Sequence, residues 1–113
     1  MKFLYDASFG SSRSGLWEPR ADIYRTPNGW VVKFDLAGVR PDEVTVEADC
    51  SHIRVSGVRR DRFVERGFRH HSMEISYSRF ERTVRLPCEA DSAKIRTQYE
   101  EGMLLVVLEI EGE

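Results

Sequence analysis

The feature that most constrains this chain is the apolar stretch from Gly102 to Ile110, which reads Gly-Met-Leu-Leu-Val-Val-Leu-Glu-Ile. It is far shorter than the roughly 20 apolar residues that a membrane-spanning helix needs, and its branched residues favour a strand. Seven of the eight residues after Gly102 are apolar, so both alternating sets of side chains need shielding from water. The stretch therefore predicts a strand covered on both faces, and the rest of the chain must supply that cover.

The length and the cysteine content narrow the class of protein. A chain of 113 residues fits one domain with short appendages and can bury a core without disulfides or metals. Cys50 and Cys88 are far apart in sequence and resemble no disulfide framework, which favours a reducing compartment. The apolar cluster at residues 3–5 is too short for a signal peptide. We expect a cytoplasmic protein that has no membrane partner.

Charge is distributed unevenly along the chain. Residues 54–85 contain nine arginines and four acids, whereas residues 86–113 contain two basic and seven acidic residues. A basic centre is compatible with nucleic-acid binding, but no lysine-rich run or aromatic-interleaved platform accompanies it. Complementary halves of one fold, or of two subunits, explain the pattern more simply. We expect no nucleic-acid partner.

Most of the chain after residue 21 alternates between apolar and polar residues with a period of two. Strands are predicted at residues 22–25, 30–36, 44–48, 53–58, 79–86, 93–99 and 102–110. In the second strand Trp30, Val32, Phe34 and Leu36 share the inner face, and in the third Thr45 faces solvent. Turn signals recur every eight to twelve residues, and no stretch forms an amphipathic helix. This pattern predicts an all-β fold, an antiparallel β-sandwich.

Two features depart from the regular pattern. Residues 59–71 have no dominant period and predict a long loop, a length that is uncommon in a compact domain unless the loop has a function; its end, at residues 72–75, predicts a short strand. Arg82 lies on an otherwise apolar face with Phe80, Val84 and Leu86. Either the face lies at a boundary, where the aliphatic stem of Arg82 carries its charged group out to water, or the guanidinium meets a carboxylate across an interface.

The first 18 residues mix Ser and Gly with isolated apolar side chains, and neither period persists through them. They predict a flexible N-terminal arm, either with apolar side chains that adhere to other molecules or as a tail without a role. The apolar side chains of this arm are Phe3, Leu4, Tyr5, Phe9, Leu16 and Trp17.

The sequence contains no recognisable catalytic or metal-binding motif. The histidines, His52, His70 and His71, and the two cysteines do not have the spacing of a zinc site. Phosphate-binding loops, nucleophile elbows and the zinc-protease motif are also missing. We predict no catalytic residues, no cofactor and no metal, and therefore no enzyme.

From Trp17 onward the chain resembles the small heat-shock proteins of the alpha-crystallin domain family. The residues that carry the resemblance are Trp17-Glu18-Pro19, Asp22-Ile23-Tyr24, Val31 to Val39 with Asp42-Glu43, Met73-Glu74, Tyr77, Phe80, Arg82, Leu86-Pro87, Ile95, Tyr99 and Gly102-Met103-Leu104. They cover nearly all of residues 17–110 in order. Where the family usually has Asn before the glycine of the last turn, this chain has Glu101.

The resemblance implies an immunoglobulin-like sandwich, here residues 19–113, that acts in the stress response. It implies an ATP-independent chaperone, or holdase, that binds partly unfolded proteins and limits their aggregation. The apolar side chains of the N-terminal arm named above are then the expected client-binding residues. In the bacterial and plant branch, a strand in the long loop crosses to the partner subunit and forms a homodimer. The dimer-interface residues implied here are Asp22, Ile23, Tyr24, Arg69, Met73, Glu74, Ile75 and Arg82.

Family members commonly carry a tail with an Ile-x-Ile motif that docks in a groove of a neighbouring dimer. This chain has only three residues after Ile110, so we expect essentially no C-terminal extension, and a dimer or small oligomers of dimers. The expected groove residues, which remain open to a partner, are Val44, Val46, Ile95, Thr97, Tyr99, Leu104 and Val106. Of the two alternating sets of the last strand, one is expected to pack inside the sandwich and the other to lie near this groove.

Two other functions remain open for a chain of this kind. One is an adaptor that docks on a larger chaperone, a role against which the long loop argues. The other is a subunit that co-assembles with longer family members.

Overall fold

The computed structural model describes residues 16–49, 51–87 and 93–110. The eight strands are β1 (Leu16–Trp17), β2 (Ala21–Thr26), β3 (Gly29–Asp35), β4 (Val44–Ala48), β5 (His52–Val58), β6 (Arg79–Arg85), β7 (Ala93–Glu100) and β8 (Met103–Ile110). A single 3-10 turn, Pro41–Glu43, precedes β4 in this part of the chain. The seven longer strands correspond to the predicted ones, and β8 is the one predicted from a continuous apolar run instead of from alternation.

The strands form two four-stranded sheets. One sheet has the order β1-β6-β5-β4 and the other has the order β2-β3-β8-β7. Pairing is antiparallel throughout, except that β1 runs parallel to β6. The predicted antiparallel β-sandwich is confirmed.

The core lies between the two sheets, and both sheets contribute to it. Its buried members are Val32, Phe34, Leu36, Val39, Val44, Ile53, Val55, Phe80, Val84, Leu86, Leu104, Val106 and Leu108. Burying a side chain of this kind contributes roughly 1.5–3 kcal/mol. The inner faces of β3 and β8 therefore account for a large share of the stability before chain entropy is subtracted.

The two faces of β8 differ in how they are covered. Leu104, Val106 and Leu108 are buried against the opposite sheet. The outer set, which includes Leu105 and Val107, is only half-buried, because no second layer lies on that face within the described residues. The prediction of cover on both faces therefore holds for the inner set alone.

Two further expectations are corrected. Leu16 and Trp17, predicted to belong to a flexible arm, form β1, and Trp17 packs against the core with its ring centroid 5.3 Å from that of Phe80. Thr45, predicted to face solvent, is only 9% exposed and pairs with the buried Ser56 of β5. Alternation predicts the direction of a side chain, whereas its exposure also depends on the side chains beside it.

The tight turn between β7 and β8 requires two residues with positive φ. Glu100 pairs with Met103, and the two residues between them, Glu101 and Gly102, have φ of 52° and 83°. Gly102 takes this conformation without steric cost, but a glutamate side chain does not. The opposite turn, between β2 and β3, needs Gly29 for a different reason, since a Cβ there would lie 1.8 Å from the Leu108 carbonyl oxygen.

Replacing Glu101 with asparagine is expected to stabilise the domain by about 0.5–1 kcal/mol, because Asn adopts positive φ more readily in a two-residue hairpin turn. Urea unfolding of the Glu101→Asn variant measures the gain. Glu18→Asn, at an exposed position outside the strands, makes the same change of charge and should have no such effect. An equal gain from both variants would assign the effect to net charge.

Candidate functional site

The first candidate surface is the free edge of β2. This strand pairs with β3 on one side and is the terminal strand of its sheet. An edge strand presents unpaired backbone N–H and C=O groups, to which another extended segment can add. Ile23 and Tyr24 remain 46% and 44% exposed on this strand. The edge combines available hydrogen bonds with apolar side chains, and three expected dimer residues, Asp22, Ile23 and Tyr24, lie on it.

The second candidate surface is the loop that joins β5 to β6, residues 59–78. It forms no strand within the protomer, and the strand predicted at residues 72–75 stays a prediction for the dimer. The predicted long loop is confirmed, but it runs to residue 78 instead of residue 71, and its apolar side chains are exposed. They are Phe63 at 84%, Val64 at 51%, Phe68 at 60%, Met73 at 52%, Ile75 at 60% and Tyr77 at 36%.

The two ends of this loop are fastened to each other by Arg59. Its guanidinium donates hydrogen bonds to the carbonyl oxygens of Ser76 at 2.9 Å and Ala37 at 3.0 Å. The same group lies 4.2 Å from the centroid of the Trp17 ring, and the Arg59 backbone N–H donates to the Ser78 carbonyl. Residues 60–75 therefore leave and re-enter the sandwich at one point.

Glu43 provides a second attachment at the start of the loop. Its carboxylate accepts hydrogen bonds from Arg60 at 3.3 Å and Arg62 at 2.9 Å. Partial desolvation acts to raise the pKa of Glu43, but the two arginines outweigh it and hold the pKa below its ordinary value. The pair of contacts joins the loop to the 3-10 turn before β4.

Arg82, the arginine on the apolar face of β6, has a partner within its own protomer. Its Nη1 donates to the carbonyl oxygen of the buried Pro19 at 2.9 Å. The contact fixes the link between β1 and β2 against β6. Neither sequence-based alternative named a backbone carbonyl as its partner, and no described acid of the same protomer forms a salt bridge with Arg82.

The predicted groove is a cleft of about 430 Å³ between β4 on one sheet and β7 and β8 on the other. Five of the seven predicted residues line it: Val44, Val46, Thr97, Tyr99 and Leu104. Val106 does not, because it is fully buried in the core. Ile95 lies on β7 outside the lining and is 36% exposed. β8 contributes Leu104, which belongs to its inner set, to the lining.

Tyr99 closes one end of this groove. Its hydroxyl lies 2.8 Å from the Leu36 carbonyl oxygen and 2.5 Å from that of Val39, and it donates its hydrogen to this pair. Burial, with a smaller contribution from the negative charge of Asp35, raises the pKa of Tyr99 above its ordinary value. The side chain thereby fastens β7 to the segment that follows β3.

The titratable cluster at the turn between β4 and β5 is structural. Asp49 accepts hydrogen bonds from the Ser51 hydroxyl at 2.8 Å, the Ser51 N–H at 2.8 Å and the His52 N–H at 3.0 Å. These bonds lower the pKa of Asp49 to about 2. No group of three or more His, Cys, Asp or Glu side chains in residues 16–49, 51–87 and 93–110 has a metal-binding arrangement.

The remaining predicted site residues fall in two places. Arg69 and Glu74 are exposed on the long loop. The arm residues Phe3, Leu4, Tyr5 and Phe9 lie outside the described part of the chain. Arg59 was missed, because nothing in the sequence distinguishes it from the other arginines of the loop. Also, none of the described segments is a helix with the length and apolar character needed to span a membrane.

The sequence matches the Hsp20/alpha crystallin family over residues 22–112. It is 32% identical over 90 residues to a 22.7 kDa class IV heat shock protein of Pisum sativum, spanning 79% of this chain and 46% of that protein. It is 31% identical over 106 residues to an 18.1 kDa class I heat shock protein of Medicago sativa, spanning 93% and 74%. This chain thus spans about half the length of the pea relative that it matches.

Solved structures show the same fold. The structure resembles HspA from Xanthomonas axonopodis with a TM-score of 0.71 and 28% identity, covering 84% of this chain and 95% of that one. It also resembles a small heat-shock protein from Xylella fastidiosa, with a TM-score of 0.69 and 28% identity, over 86% and 89% of the two chains.

Replacing Tyr99 with phenylalanine removes the hydroxyl from two buried carbonyls and is expected to cost about 1–2 kcal/mol of the free energy of unfolding at neutral pH. Because the folded-state pKa is raised, the wild type should also lose stability as the pH rises past about 10, where the unfolded chain releases this proton first. Tyr99→Phe should flatten that alkaline decline. Urea unfolding across this pH range measures both effects.

The control is Tyr77→Phe, which alters a hydroxyl on the exposed loop. It should leave both the neutral-pH stability and the alkaline decline nearly unchanged. A Tyr99→Phe variant as stable as the wild type would contradict the role assigned to the two carbonyl bonds.

Proposed function

This chain belongs to the Hsp20/alpha crystallin family, and we propose that it is an ATP-independent holdase that binds partly unfolded proteins and limits their aggregation. Membership of a family of small heat-shock proteins supports a chaperone role for this chain. The more specific holdase activity is our proposal. Its carrying observation is the distribution of apolar side chains on the surface.

Nine large apolar side chains are exposed in the described residues. Six lie on the loop between residues 63 and 77, and two lie on the edge strand β2. Exposed apolar surface of this extent usually marks a site for another protein. Unfolded chains expose apolar side chains and unpaired backbone groups, and this surface offers matching partners for both.

We propose that two copies first use part of this surface to form a dimer. Residues 69–75 of one protomer add to the free edge of β2 in the other, where Ile23 and Tyr24 meet Met73 and Ile75. This arrangement pairs the backbone groups of the β2 edge. It also covers apolar side chains that are exposed in the single protomer. Arg82 stays in the proposed interface as a residue that fixes the link leading into β2.

The groove beneath Tyr99 is proposed as a second docking surface. Its lining combines Val44, Val46 and Leu104 with the exposed Thr97 of β7. An extended apolar segment can enter it beside the free edges of β4 and β7. We propose that clients or other family members occupy it, so that small oligomers of dimers form through this surface.

The holdase proposal predicts that equimolar protein slows the heat-induced aggregation of a model enzyme without added nucleotide. Light scattering follows the aggregation, and serum albumin at the same concentration controls for non-specific protection. Equal scattering with and without the protein would contradict the holdase proposal.

The dimer proposal predicts that Met73→Glu weakens self-association by at least about tenfold, because the interface would then desolvate an unpaired charge. Val64→Glu is the matched control, since it lies on the same loop with nearly equal exposure, 51% against 52%. Size-exclusion chromatography with light scattering measures the mass. A wild type that stays monomeric at high concentration, or equal effects of both variants, contradicts the proposed exchange.

A further inference from the structure

A second apolar cleft lies at the base of the long loop. Its volume is about 570 Å³, and it is formed by residues 37–41, residues 59–63 except Asp61, Ile75 and Tyr77. It is separate from the groove beneath Tyr99, with which it shares only Pro41. Phe63 projects at its rim with 84% of its surface exposed. The apolar lining favours a ligand that removes this surface from water.

Arginines surround this apolar lining. Arg40, Arg59, Arg60 and Arg62 line the cleft, and none of the described residues that line it is acidic. Glu43, just outside, accepts hydrogen bonds from Arg60 and Arg62, so three positive charges remain in excess when it is counted. A guanidinium has five N–H donors, and the side chains of Arg60 and Arg62 are still 57% and 31% exposed. They retain donors for a second carboxylate.

The contacts of Arg59 hold the cleft together. Its bonds to Ala37 and Ser76 join the two sides of the cleft at the root of the loop. Ile75 is the one described lining residue within residues 69–75, the segment proposed to cross to another protomer. The rest of the described lining belongs to segments at the root of the loop, which the Arg59 contacts hold together.

We propose that this cleft binds extended segments of partly unfolded proteins in which apolar side chains alternate with acidic ones. The apolar side chains of such a segment enter the cleft, and its carboxylates pair with the guanidinium groups at the rim. Segments rich in lysine or arginine are disfavoured by charge repulsion. This inference rests on the proposed holdase function and adds a preference among its substrates.

Two fluorescent peptides test the preference by anisotropy with the full-length protein. In one, leucine and phenylalanine alternate with glutamate; in the other, lysine replaces every glutamate. The acidic peptide should bind roughly tenfold more tightly, and the difference should shrink at high ionic strength, as it does for exposed charges. Equal affinities, or tighter binding of the basic peptide, would overturn the inference.

Matched variants assign the binding to the cleft. Phe63→Ser and Arg40→Glu change lining residues and should each weaken the acidic peptide at least about fivefold. Phe68→Ser and Arg66→Glu make the same changes of residue type on the long loop outside the lining and should have less than about a twofold effect. All four positions are exposed, and thermal unfolding checks that each variant is folded. Equal losses of peptide affinity in both pairs of variants would show that the loop attracts the peptide in general, and would overturn the assignment of binding to the cleft.

Two further readouts separate this inference from the function on which it rests. If the protein suppresses aggregation but shows no preference for the acidic peptide, the holdase proposal stands and the cleft proposal fails. If it suppresses no aggregation yet binds the peptide in the predicted order, the cleft stands as a peptide site without the chaperone role. Vesicles of phosphatidylglycerol test a competing ligand class. If they displace the acidic peptide from the wild type, and Phe63→Ser and Arg40→Glu weaken vesicle binding, the assignment to protein segments is overturned.

Discussion

The pairing of β3 with β8 is the constraint on which the rest of the structure depends. Its register places Val32 opposite Val106 and Phe34 opposite Leu104. A slip by one residue would turn these inner side chains to the outer face. β2 pairs with β3 on one side of this pair, and β7 pairs with β8 on the other. The β3–β8 pair therefore determines where both the free edge of β2 and the groove lie. The hydrogen bond from the Leu36 N–H to the Gly102 carbonyl closes one end of the pair.

Much of the sandwich could be predicted from the sequence because its strands are covered on one face. Val32 and Phe34 flank the polar Lys33, as Ile53 and Val55 flank Arg54 on β5, and each pattern shows which side chains are buried. In β8 both sets are apolar, so the pattern showed a strand without showing its inner face. The long loop was predicted because its apolar residues follow neither the period of a strand nor that of a helix.

What the sequence did not show are contacts whose partners have no characteristic side chain. Arg59 and Arg82 bind the backbone carbonyls of Ala37, Ser76 and Pro19, and any residue type supplies a carbonyl. Pro19 and Arg82 are also 63 residues apart in the chain, so only the tertiary fold brings them together. Val106 was wrongly assigned to the groove. Whether a residue of β8 lies in the groove depends on how far β4 extends over β8, and no local sequence pattern indicates this.

The parallel pairing of β1 with β6 has a consequence for local unfolding. Within the described part of the chain the pairing consists of Leu16 and Trp17 opposite Arg79 and Phe80, so this strand can detach while the remaining three strands of its sheet stay paired. Such small units open at a fraction of the global free energy of unfolding. Detachment uncovers the outer edge of β6 and removes the aromatic ring from beneath the Arg59 guanidinium. Amide exchange at β6 and the mobility of the loop roots are therefore coupled to a two-residue strand at the other end of the sequence.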